Sequence, residues 1–386
     1  MDANPLLQRK TAQFTHLVTE GTHYEVGRAL GAHHKNNSAM LSFLSSPFMG
    51  ASPLTPYAAD KAMESFERYC PGLNEEIQGF ADETGVEAAH VVFYYSYSQA
   101  PGHCTQAAYR TGASGEQSGH ICHMRNYDFG WEDEPYNQLL LSTTRVKGKP
   151  AHTGFALQLF GRYDGMNEAG LTVTTTSGRV RPEMTGEGFI FPGVVRALLD
   201  QCTTAEEAVQ LMRSMPVADY RNFLISDAQG NIALVETAGT EKEIQYHPAT
   251  AASLSVSQLV LSANHYTLPS MQLHNQQVME NSWTRYDALR AALMDDNTAI
   301  HPVEAMKAAA GREYPEGICC HHYSEGLGTL WSMVCDNTAR ELHICFGSPQ
   351  LNGWRTFGFL DPAGMRVYEA VLPDKRSAEG FWTRPS

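Results

Sequence analysis

The chain lacks most of what would assign it quickly. Its N-terminus, MDANPLLQRKTAQF, has no positive start followed by an apolar core, and no apolar run approaches membrane-spanning length. A cytoplasmic protein with no membrane partner is therefore expected. Basic residues are scarce, 28 Lys and Arg against 42 Asp and Glu for a formal charge of −14, and they form no cluster, which argues against nucleic acid as a partner. No Pro/Gly/Ser-rich linker, low-complexity tract or internal repeat divides the 386 residues, so one large domain with an N-terminal segment is the simplest organisation. G-x-S-x-G, H-E-x-x-H, the P-loop and a complete G-x-G-x-x-G are all missing, which removes the usual support for serine hydrolases, zincins, NTPases and dinucleotide-binding enzymes.

A disulfide framework is also not expected. Without an export signal, the eight cysteines (Cys70, Cys104, Cys122, Cys202, Cys319, Cys320, Cys335 and Cys345) are read as reduced thiols. Cys335 and Cys345 alternate with apolar neighbours and read as small core residues, as do Cys122 and Cys202. Cys319-Cys320-His321-His322 looks like a metal cluster, yet adjacent strand residues point to opposite faces and cannot all reach one ion. His120, Cys122 and His123 place two side chains on one strand face with no second ligand pair beside them. No metal and no cofactor are expected.

What is there is an ordinary globular composition, 42% hydrophobic and 18% charged. The first hundred residues read as mainly helical, with apolar residues at helical spacing over Tyr24–Leu44 and a further helix from Leu73 to Phe80, punctuated by Pro71 and Gly72. From Val91 the pattern turns to strands: VVFYYSY, then HICHMR (120–125), NQLLLSTTRV (137–146), GFALQLF (154–160) and LTVTTT (171–176). A helical pair spans Gly193–Met212, its second member started by Thr204 and Glu207 at capping-box spacing. Strands return at 221–227, 231–237, 260–263, 328–335 and 341–347, with a helix over Ser282–Met294 between them. Runs of strands separated by paired helices suggest two sheets between helical layers rather than alternating βαβ units.

Cys104 stands at the start of a strand after the turn-like Ala100-Pro101-Gly102, a context in which a thiolate can be exposed and stabilised. The text around it is distinctive. Gly102-His103-Cys104-Thr105 is followed by Arg125-Asn126-Tyr127-Asp128-Phe129 and by Tyr163-Asp164-Gly165-Met166-Asn167-Glu168-Ala169-Gly170-Leu171. Then come Phe223-Leu224-Ile225-Ser226-Asp227 with Gly230 and Val235-Glu236, then Ser262-Ala263-Asn264-His265-Tyr266, and Ser282-Trp283-Thr284-Arg285-Tyr286. This succession resembles the isopenicillin N acyltransferase-like branch of the cysteine Ntn hydrolases, relatives of the choloylglycine hydrolases. Tyr24-Glu25-Val26-Gly27 and Asn74-Glu75-Glu76-Ile77-Gln78-Gly79-Phe80-Ala81 are similar to the prosegment of the acyltransferase branch.

The resemblance implies a four-layer αββα sandwich, with residues 1–103 as a mainly helical prosegment and 104–386 as the catalytic domain carrying both sheets. It implies autoproteolysis between His103 and Cys104, and a linear amide cleaved through a Cys104 thioester, the acyl group passing to water or to an amine. The partner is then a small-molecule amide or acyl donor, and the cleaved segments stay associated; a homo-oligomer is left open. Carried over by position, Arg125 sets thiolate character, Asp128 holds the new α-amino group, Asn264 donates to the oxyanion, and Arg285 supports the charge network. His103 departs from the glycine that many relatives place before the cysteine. Ser177 stands where bile-salt hydrolases have an asparagine, so that Thr176 or Ser177 supplies a hydroxyl or the contact is absent. Two alternatives accompany this reading: a papain-like Cys-His-Asn hydrolase using Cys104 and His265 without self-cleavage, and a non-catalytic small-molecule binding protein.

Overall fold

Residues Gln8–Gly21 form a long strand, β1, in which Ala12 and Phe14 turn inward between exposed neighbours, the period of two that buries one face of a sheet. The computed structural model describes residues 8–45, 56–96, 103–112, 119–131, 139–157, 159–178, 188–250, 252–276, 278–294 and 301–377. Five helices follow β1: α1 (His23–His34), α2 (Ser38–Ser45), α3 (Pro56–Tyr69), α4 (Leu73–Thr84) and α5 (Ala88–Ser96). α1 starts at a capping box of Thr22 and Glu25. It lies against α4 at backbone contact: a Cβ on Gly27 would stand 2.0 Å from the Glu76 carbonyl oxygen, and one on Gly79 2.2 Å from that of Tyr24. Both glycines belong to the N-terminal motifs, and close helix crossing is the physical reason for them.

The remaining chain builds two sheets. Its elements are β2 (His103–Arg110), β3 (Ile121–Phe129), β4 (Leu140–Val146), β5 (His152–Leu157), β6 (Gly161–Arg162), β7 (Gly165–Asn167) and β8 (Thr172–Ser177). After these come α6 (Phe191–Gln201), α7 (Ala205–Ser214), β9 (Asp219–Ser226), β10 (Ile232–Gly239), β11 (Glu241–His247) and β12 (Gln258–Ser262). The chain closes through α8 (Glu280–Met294), α9 (Pro302–Gly311), β13 (His321–His322), β14 (Leu327–Asp336), β15 (Glu341–Phe346), β16 (Arg355–Phe357) and β17 (Gly364–Asp374). The first sheet runs β11-β10-β9-β8-β7-β5-β4-β1-β17 with β6 on β5; the second runs β12-β2-β3-β14-β15-β16 with β13 on β14.

The sheets face each other, with β2 packed on β8 and β9. Trp331 of the second sheet is sandwiched between Tyr127 and Phe155, each with ring centroids 4.0 Å away, and so joins the two sheets. α6 and α7 cover the first sheet with Val194, Val195, Leu198 and Val209. α8 and α9 cover the second with Leu289, Leu293, Val303 and Met306 against Ala107, Met124 and Val334. The result is the expected αββα sandwich of α+β class.

Two expectations are corrected. The run from Val91 is helical, in α5, because a short apolar stretch with Val91 and Val92 both buried fits a packed helix as well as a strand, and α3 and α4 supply the packing. Both sheets do not lie wholly after Cys104: β1 sits inside the first sheet, parallel to β4 and antiparallel to β17. The helical pair and its Thr204–Glu207 capping box are as read from the sequence. The Ala100-Pro101-Gly102 turn lies outside the described residues.

Candidate active site

β2 and β3 pair with Cys104 opposite Tyr127 and His103 opposite Asp128. Alternation along β3 then decides what each side chain meets. His123 and Arg125 point between the sheets, to Thr174 and Ser226 and to Asp164 respectively, whereas Met124 and Asn126 point to α8 and α9. Three-residue spacing therefore puts Arg125 and Asp128 on opposite faces, and among the described residues no ion pair joins them. They flank the start of β2 separately.

The Arg125 guanidinium is buried, with Nη2 donating to Cys104 Sγ at 3.3 Å and Nη1 paired to Asp164 Oδ2. Asp164 is fixed in turn by the Trp331 indole N–H at 3.0 Å and the Phe155 backbone N–H at 3.2 Å. Burial pushes the Cys104 thiol above its ordinary pKa; Arg125 opposes that shift, Asp128 adds to it, and Arg221 opposes it in turn. In the intact chain the sulfur is thus a protonated thiol next to a cation able to stabilise its thiolate.

Asn264, just past β12, accepts the Cys104 backbone N–H on Oδ1 at 3.1 Å. Its Nδ2 donates to the carbonyl and the hydroxyl of Ser177, each at 2.9 Å. The hydroxyl on Asn264 is thus that of Ser177, while Thr176 Oγ1 turns to the Ala263 carbonyl at 2.5 Å. Asn264 presents its carbonyl to Cys104 rather than the N–H groups expected of an oxyanion donor, because Arg285 Nη2 also donates to Oδ1, at 2.8 Å, and fixes the amide that way round. Arg285 is a fully buried residue of α8; its Nη1 donates to the Cys104 carbonyl at 2.9 Å and to Thr105 Oγ1 at 2.7 Å.

Asp128 is buried. Oδ1 accepts from Thr329 Oγ1 at 2.6 Å, and Oδ2 has no hydrogen-bond partner among the described residues. Burial outweighs the attraction of Arg285 and Arg125 and raises its pKa from 3.8 to about 7. His103 is held neutral, its pKa lowered to about 3 by burial and by Arg285. His265 does not reach the thiol: Nδ1 bonds Ser282 Oγ at 2.8 Å and the ring stacks on Trp283 at 3.6 Å.

Sequence reasoning did not single out Asp164, Thr329 or Arg221. Asp164 was visible inside the Tyr163–Leu171 motif without a role; nothing local marks Thr329, which meets Asp128 only through the β3–β14 register. Cys319 and His321 both meet Ser348, at 3.5 and 2.7 Å, while His322 turns to the Lys375 carbonyl, so the four-residue run is split as adjacent strand positions require.

The two facing sheets between helical layers are the architecture of the Ntn-hydrolase fold. Residues 115–351 match the acyl-coenzyme A:6-aminopenicillanic acid acyl-transferase family, and the chain belongs to that family. No curated protein matches it. Among solved structures, a variant of the conjugated bile acid hydrolase from Clostridium perfringens is 10% identical, with 70% of this chain and 99% of that one covered at a TM-score of 0.42. The Caenorhabditis elegans N-acylethanolamine-hydrolyzing acid amidase ortholog is 14% identical, covering 60% and 93% at 0.40. Penicillin V acylase from Agrobacterium tumefaciens is 14% identical, covering 70% and 85% at 0.35.

Proposed function

We propose that the chain is a cysteine Ntn amidohydrolase or acyltransferase that cuts itself between His103 and Cys104 and then uses Cys104 as nucleophile. The observation that carries this reading is the placement of Cys104 at a strand start with Sγ on Arg125 and backbone N on Asn264 Oδ1.

In the first reaction the Cys104 sulfur attacks the His103 carbonyl carbon. The C–N bond breaks, the leaving nitrogen takes up the thiol proton to become the α-amino group, and a thioester links His103 to Sγ. Water then releases the His103 carboxylate and returns the thiol. The new α-amino group, with an ordinary pKa of about 7.7–8.0, takes the thiol proton and so makes the thiolate. Asn264 Oδ1 already accepts at this nitrogen, and the unpartnered Asp128 Oδ2 is a buried acceptor beside it in the ladder.

In turnover the thiolate attacks a linear amide, the amine leaves with a proton, and water or an acceptor amine takes the acyl group from the thioester. Arg125 stabilises the thiolate and Arg285 holds the Cys104 carbonyl. Asn264 becomes an oxyanion donor when one of its two bonds to Ser177 exchanges. Residues 1–103 remain attached after the cut, because β1 is an interior strand and Glu76 is buried against Arg196.

Intact-mass measurement with N-terminal sequencing tests the reading. A fragment beginning at Cys104, absent from Cys104→Ala, is expected. Full-length protein that turns over amides overturns self-cleavage, and Cys104→Ala with unchanged turnover overturns the nucleophile.

A further inference from the structure

Far from Cys104, at the opposite end of the β2–β3 ladder, the structure brings together three residues distant in sequence. We propose that His120, His301 and Asp336 bind a divalent transition-metal ion of the Zn2+ type, clamping the N-terminus of α9 to the β3–β14 end of the second sheet.

One ligand atom from each residue lies within 4.8 Å of the other two. His120 Nε2 stands 2.9 Å from Asp336 Oδ2, and the His120 and His301 rings meet edge-on with centroids 4.7 Å apart. The carboxylate is preorganised: Asp336 is buried, and its Oδ1 accepts the Ala339 backbone N–H at 2.8 Å, which aims Oδ2 at the imidazole. His120 is anchored by its backbone N–H on Thr111 Oγ1 at 2.8 Å, and the next N–H, of Ile121, on Thr338 Oγ1 at 3.0 Å. His301 caps α9 by turning Nδ1 to the Val303 N–H at 3.4 Å, and its Nε2 makes no hydrogen bond among the described residues.

Two imidazoles and a carboxylate are a donor set for Zn2+ and its neighbours rather than for Mg2+ or Ca2+. Metal–nitrogen bonds of about 2.0–2.1 Å put tetrahedral ligand atoms roughly 3.3 Å apart, so the His120–Asp336 pair is already close enough and the exposed His301 closes the set. Water fills the remaining positions. Hydrophobic periodicity cannot show such a site, because each ligand comes from a different element.

The test uses the chelator-stripped full chain carrying Cys104→Ala, so that the candidate nucleophile cannot bind the ion. Zn2+ is titrated against a chromophoric competitor, Co2+ absorption reports the ligand geometry, and thermal melting is followed with and without Zn2+. One equivalent is expected to bind and to raise the melting temperature. H120A and H301A should each weaken binding at least about tenfold and abolish the Zn2+-dependent rise. H301N, which keeps a capping side chain, should behave as H301A, with metal-free melting close to that of the parent. Failure of the parent chain to bind Zn2+, or equal binding by H120A and H301A, overturns the proposal whether or not the chain is processed.

Discussion

Nη2 of Arg125 donates to Sγ of Cys104 across 3.3 Å while Nη1 of the same guanidinium is tied to Asp164. One side chain thus links the sulfur to a buried carboxylate that Trp331 and Phe155 hold in place. Because Arg125 lowers the thiol pKa against burial, R125M should move the acid limb of the pH–rate profile upward. Losing so preorganised a donor should lower kcat/KM by about 10²–10³. Cys104 alkylation rates across pH check the first effect independently of turnover.

Asp128 gives the unprocessed chain a pH-dependent weakness. Its pKa of about 7 lies above the ordinary 3.8, so between those values the folded chain keeps a proton that the unfolded chain has released. The Asp128 contribution to stability therefore falls as pH rises from about 4 to about 7, by an amount on the order of a few kcal/mol, against the opposite trend of buried histidines such as His103 and His265. In denaturant melts of Cys104→Ala across this range, adding D128N should remove this falling contribution and tilt the dependence toward greater stability at higher pH. An unchanged slope would remove Asp128 as its source.

His265 distinguishes the preferred reading from a papain-like one. Its imidazole is engaged with Ser282 and Trp283 and its pKa is lowered to about 3. H265A should cost stability through lost packing, yet leave kcat/KM at half-saturating amide within about fivefold at temperatures below melting. Removal of a general base would cost roughly 10²–10⁴.

Glu76 ties the N-terminal segment to the rest of the chain. It pairs with His23 at 2.6 Å and with Arg196, which also reaches Asp200 at 2.8 Å, all with little exposure. E76Q should destabilise the fold by about 3–5 kcal/mol, since it leaves Arg196 buried with one partner fewer. E76L/R196M should recover part of that loss. Urea melts measure both, and gel filtration of processed E76Q shows whether the fragments separate.

Much of the fold was legible in the sequence, because its signals are local. β3, β8, β9, β10, β14 and β15 announce themselves by β-branched and aromatic runs, and α7 by Thr204 and Glu207. Cys104, Arg125, Asp128, Asn264 and Arg285 were named from ordered motifs. β1 was not seen, since QRKTAQFTHLVTEG carries polar residues at its exposed positions and finds its place only between β4 and β17. The run at Val91 was misread because a buried helix and a buried strand share its composition.

By itself, then, the sequence pointed to the candidate residues for the chemistry and determined the family frame that holds them, because composition, capping and motif order are properties of the chain. Only the tertiary structure decided which way those side chains face. Strand alternation separates Arg125 from Asp128, register brings Thr329 to Asp128, and Arg285 turns the Asn264 oxygen toward Cys104. It likewise gathered His120, His301 and Asp336 from β3's start, α9's cap and β14's end. Such pairings arise from long-range packing, which no local pattern encodes.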